Sequence, residues 1–108
     1  SVQDQFSQFR ASFDQTKQAL FIKFTYFFPH DKLINKAGGI SSRAQDLSNV
    51  EKPLLDLICL PRYHVQPTPW GAPNLNIDDK HVLRLTSEKK ISNDYSVQIT
   101  VCTIKMPT

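Results

Sequence analysis

Three carboxylates and one lysine stand out in the chain as a set able to act on a phosphate ester. Asp46 stands six residues ahead of Lys52, and the tandem pair Asp78-Asp79 follows further along. Two or three such oxygens, with several waters kept, would hold one Mg²⁺, the usual arrangement for that ion. A bound ion of this kind polarises a phosphoryl oxygen and turns a bound water into a nucleophile at neutral pH. A neighbouring lysine neutralises the charge that develops on the phosphate. The charge pattern suits a phosphate backbone, because residues 63–79 carry a net charge of −2 and residues 80–108 carry +3. The same residues also have ordinary readings. Asp46 ahead of a helix favours its N-terminus electrostatically, and Asp78-Asp79 after Asn74 and Asn76 fits a turn.

The elements that must position these groups are legible in outline. Val2, Phe6, Phe9 and Phe13 recur at helical spacing and predict an amphipathic helix over 1–18. Residues 19–28 alternate Leu20, Ile22, Phe24, Tyr26 and Phe28 and predict a strand that Pro29 ends. Residues 29–45, with Gly38 and Gly39, read as a loop. A second helix is predicted over 48–58, opened by the capping box Ser48-Asn49-Val50-Glu51 and carrying Pro53 near its first turn. Residues 59–76 hold four of the seven prolines, with Trp70, and read as a long loop that packs or docks. Residues 80–104 predict a strand hairpin turning at 91–94. The order gives an α+β domain with two helices and a small mixed or antiparallel sheet.

Composition sets the outer bounds. The chain has 108 residues, 40% hydrophobic and 21% charged, which suits one globular domain over 1–108 and excludes a fibrous or disordered class. No apolar run is long enough for a membrane span, and no signal peptide is visible, so a cytoplasmic, membrane-free protein is expected. Two cysteines, Cys59 and Cys102, suit free thiols in a reducing compartment rather than a disulfide framework. His30, His64 and His81 show no zinc-like spacing. A net charge of +3 permits a nucleic-acid partner without requiring one.

The run Asp46-Leu47-Ser48-Asn49-Val50-Glu51-Lys52-Pro53, followed by an aliphatic stretch that carries Asp56, resembles the signature of RusA-type Holliday-junction resolvases. Ile77-Asp78-Asp79-Lys80-His81-Val82 resembles that family's second element, Asp-Asp opening a strand. The likeness spans most of residues 6–104. It implies a Mg²⁺-dependent, homodimeric endonuclease that nicks four-way DNA junctions in recombination and repair, in a bacterial or phage-infected cell. It also implies Asp46 and Asp79 as metal-binding catalytic carboxylates with Asp78 beside them, Lys52 as the phosphate-facing lysine, and Asn49 as a residue that fixes the site on DNA. Arg43 and Lys36 ahead of Asp46, and Arg84, Lys89 and Lys90 on a solvated strand face, are the candidates for backbone phosphate contacts. Asp56 reads as a surface or interface residue rather than a ligand.

Three departures accompany the likeness. Ser48 stands where the family has its second Asp, the family's opening strand is absent, and the 59–76 loop is longer than expected. A neutral hydroxyl is a poorer Mg²⁺ ligand, so the alternative expectation is a catalytically weakened or inactive relative that binds DNA without cutting it.

Overall fold

The structure is a computed structural model that describes residues 1–59 and 73–107. It is an α+β fold in which helices cover one face of a three-stranded mixed sheet. Helix α1 spans Val2–Ser12, strand β1 Gln18–Pro29, helix α2 His30–Leu33 and helix α3 Leu47–Cys59. A 3-10 turn, Asp79–His81, leads into β2 (Val82–Ser92), and β3 (Ser96–Lys105) follows.

Helix α1 is shorter than its apolar spacing predicts. A capping box on Ser1 and Asp4 starts it. At the other end the Asp14 carboxylate accepts from the Thr16 amide (3.0 Å) and hydroxyl (2.6 Å), an Asx turn that leads the chain out of the helix before β1. The expected 29–45 loop holds α2 and an isolated bridge between Ile34 and Ile40. Asn35 braces that bridge by accepting from the Ala37 and Gly39 amides, both at 3.0 Å. Helix α3 begins at Leu47, so Ser48 lies inside the first turn and the expected capping box does not form. Glu51 instead accepts a hydrogen bond from the Ser87 hydroxyl on β2, tying the helix to the sheet. Of the proline-rich segment expected as a loop, Cys59 belongs to α3, residues 73–76 are irregular, and the rest lies outside the described residues.

The two C-terminal strands exist but do not pair with each other. Their order is β2-β1-β3, with β2 parallel and β3 antiparallel to β1. The reason is visible in β1, the most deeply buried of the three strands, which takes the centre, while β2 and β3 are largely exposed and take the edges. Parallel pairing needs a crossover between β1 and β2, and α3 lies in it. The expected 91–94 turn becomes residues 93–95, which pass over the end of β1. There Pro29 sits opposite Ser92, and Phe27 opposite Ser96.

Leu20, Ile22, Phe24 and Tyr26 point to one face of β1, where they meet Phe6, Leu55, Ile58, Cys59, Leu75 and Ile77. Leu20, Ile22 and Phe24 are fully buried. Burial of each such side chain contributes about 1.5–3 kcal/mol, so this face holds the fold together.

Candidate functional site

The first determinant of the site is the segment after the undescribed residues. Asn74 Nδ2 donates to the Leu57 carbonyl at 2.7 Å, and the Leu75 amide donates to the Ile58 carbonyl at 2.6 Å. These bonds satisfy two of the carbonyls that a helix C-terminus leaves without partners. From the other side Gln3 of α1 clasps the Asn74 backbone, accepting from its amide at 2.9 Å and donating to its carbonyl at 3.2 Å. Leu75 and Ile77 are buried in the core, while Asn76 between them is exposed. Its φ of 55° is a left-handed conformation that asparagine tolerates. The chain is therefore fixed along α3 and delivers Asp78 and Asp79 to the flank of that helix.

On that flank the side chains converge. Lys52 Nζ lies 2.8 Å from Asp56 Oδ1 and 3.4 Å from Asp79 Oδ2. Lys52 and Asp56 are one helical turn apart and share a face. Asp79 comes from a residue 27 positions away. The Lys52 ammonium is held above the usual lysine range, chiefly by its hydrogen bond to Asp56 and then by that to Asp79. It is therefore a fixed positive charge at neutral pH. Asp78 has a different task. Its carboxylate caps the 3-10 turn, accepting from the Lys80 amide at 2.9 Å, and this bond holds its carboxyl below the usual range.

Cys59 closes the inner side of the cluster. It is fully buried, and desolvation together with the nearby Asp79, Asp56 and Asp78 charges pushes its thiol up to about 12. A thiol in that setting stays protonated and packs as a small apolar group. A cleft of about 770 Å³ lies beside the cluster and not on it. Arg10, Phe13, Asp14, Asp78, Lys80 and His81 line it, so Asp78 is the one carboxylate that the cleft and the tandem pair share.

The expected residues therefore divide. The structure joins Lys52 to Asp79 and places Asp78 next to them. Asp46 is exposed at the head of α3, where its carbonyl accepts from the Asn49 amide at 3.1 Å. Among the described residues its carboxylate has no ion pair with Lys52 and no hydrogen bond to Asp79, and no group of three or more His, Cys, Asp or Glu side chains is arranged to hold a metal. Asp56, expected as a surface or interface residue, is the nearer of the two carboxylates to Lys52. Its four-residue spacing from Lys52 was the signal that could have found it.

The basic candidates do not form one surface. Lys36 and Arg43 are exposed in the segment between α2 and α3, and Asn49 is exposed in the first turn of α3. Lys89 lies opposite Tyr26, on the face that α3 covers, whereas Arg84 and Lys90 lie opposite Phe21 and Phe27 on the other face. The expectation of one solvated face for Arg84, Lys89 and Lys90 is thus corrected, because adjacent strand residues point to opposite sides. Arg84 also stacks over the Phe21 ring, 5.2 Å from its centroid.

No helix among the described residues is long and apolar enough to cross a membrane. Compared with known protein families, curated proteins and solved structures, the chain matches none.

Proposed function

We propose that this chain is a divalent-metal-dependent endonuclease acting on branched DNA, with the RusA-type motifs as its working parts. The observation that carries this reading is the approach of Lys52 to Asp79 at 3.4 Å. Two motifs far apart in the chain put a phosphate-neutralising cation and a carboxylate side by side on one rim.

The donor chemistry fits magnesium in a limited form. Asp79 offers a hard oxygen donor with its side chain 34% exposed, open to solvent and substrate. One or two carboxylates with retained waters suffice for this ion. Asp79 would hold it, with Asp46 at the head of α3 as the second carboxylate that the resemblance names. When bound, the ion supplies Lewis acidity and lowers the pKa of a bound water. The chain's own residues do the rest. The Lys52 ammonium meets the phosphodiester and stabilises the charge that grows on its oxygens. Asn49, Arg43 and Lys36, exposed at or before the amino-terminal end of α3, would contact the backbone leading to that phosphate. Two copies related by a two-fold axis would present two such sites to a junction with the same symmetry.

A synthetic four-way junction tests this reading. Paired nicks in the presence of Mg²⁺, lost in EDTA and in Asp79→Asn, are the expected result. Unchanged nicking in either condition would falsify it.

A second reading is favoured by Ser48, which is exposed in the first turn of α3 where the family pattern has a carboxylate. In this reading the protein binds junctions without cutting them. Mg²⁺-independent junction binding with no nicks, together with nicking gained in Ser48→Asp, would select it.

A further inference from the structure

We propose that Asp56 is a positioning residue, whose carboxylate anchors the Lys52 ammonium beside Asp79. The kinetic consequence rests on the nuclease reading; the placement of Lys52 does not.

Lys52 ends in a flexible four-carbon stem, and its side chain is 66% exposed. Such a group left to itself samples many rotamers. Here it is held by two acceptors from different elements, and the nearer is Asp56 at 2.8 Å against 3.4 Å for Asp79. The platform under Asp56 is rigid, because its neighbours Leu55, Ile58 and Cys59 are buried in the core. Asp56 itself is only 38% exposed at its side chain. Asp79, by contrast, stands on a 3-10 turn of three residues. The pair is also poorly explained as a device for helix stability, since a lysine preceding its acidic partner is the weaker of the two orders. A cation that engages Asp79, or a substrate phosphate that engages Lys52, competes for the longer of the two contacts. Asp56 is then the anchor that Lys52 keeps, so the ammonium stays aimed at the rim.

The full chain is compared as wild type, Asp56→Asn and Asp56→Glu, in two measurements. The first is ¹³C relaxation at the Lys52 ε-carbon in lysine-labelled protein without DNA or metal. The asparagine variant is expected to mobilise Lys52 to the level of the exposed Lys36, and the glutamate variant to restore its order. The second is nicking of a synthetic four-way junction with Mg²⁺. In Asp56→Asn, kcat is expected to fall on the order of 10- to 100-fold through misplacement of the group, with KM little changed. Asp56→Glu should recover most of the rate. A Lys52 as ordered in Asp56→Asn as in wild type overturns the proposal, and so does a loss in the asparagine variant that glutamate does not rescue. If wild type fails to nick while Asp56→Asn still frees Lys52, the positioning role stands and the nuclease reading is the one that fails.

Discussion

On the face of the sheet that meets α3, β1 presents Leu20, Ile22 and Phe24 with no measurable exposure. On the opposite face the same strand presents Phe21 and Lys23, beside Arg84 and Glu88 of β2. There Lys23 Nζ lies 2.9 Å from Glu88 Oε1, Lys90 lies 3.8 Å from the same oxygen, and Thr25 donates to it at 3.5 Å. Both faces belong to one strand, yet one is held by dehydration and the other by half-exposed charges. Dehydration contributes far more, since exposed ion pairs contribute little or nothing measurable. The cluster of Lys52, Asp56 and Asp79 sits at the margin of the first face, where α3 leaves the core. It gains a rigid support without being buried, so substitutions there should change chemistry more than stability.

The largest test of that contrast is Phe24→Ala, expected to cost about 3–5 kcal/mol in denaturant unfolding through the cavity left beside Ile22 and Tyr26. A loss below 1 kcal/mol would show that this face is not the main source of stability.

Next, Asp79→Asn and Lys52→Ala should each lower junction nicking on the order of 10²- to 10³-fold. Their unfolding free energies should stay within about 0.5 kcal/mol of wild type, as for exposed positions generally. Nicking and stability falling together would erase the distinction between rim and core.

Arg84→Ala probes the open face as a DNA contact. If the guanidinium meets a phosphate, the slope of log affinity against log salt drops by about 1 for every junction sequence tested. An unchanged slope assigns Arg84 to its stack on Phe21 alone.

The smallest effect concerns Glu88. Its carboxyl is held below the usual 4.5, first by the hydrogen bond from Lys23. A depressed folded-state pKa gives stability that is present above the unfolded value and lost as pH falls through the folded one. The denaturation midpoints of wild type and Glu88→Gln should therefore differ most near neutral pH and merge as the pH drops below 4.5. A difference that persists at low pH would show that Glu88 acts through packing rather than charge.

Local pattern carried much of the fold. Apolar alternation placed β1 within a residue or two of its observed Gln18–Pro29, and α3 was legible from its aliphatic run. Helix α1 was overdrawn because Phe13 continues the apolar stripe, whereas the backbone obeys the Asp14–Thr16 turn. The hairpin expectation failed for a different reason. Two strands three residues apart normally pair, but neither is as apolar as β1, and flanking β1 with a strand at each edge outweighs the shorter loop closure. At the site, the carboxylates and the lysine were visible as residue types, yet which of them meet was not. The four-residue spacing of Asp56 from Lys52 is a local mark shared by many ordinary surface ion pairs, and only the approach of Asp79 from another element sets this pair apart.

The chain's own pattern determined which segments become helix or strand, which strand is most apolar, and which acids and bases are available, because those depend on neighbours a few residues away. Only the folded chain puts β1 at the centre of the sheet and brings Asp79 to the Lys52–Asp56 pair. The first depends on which strands flank β1 and the second on how the 74–77 segment is bound along α3, and contacts between residues so distant in sequence leave no periodic trace in it.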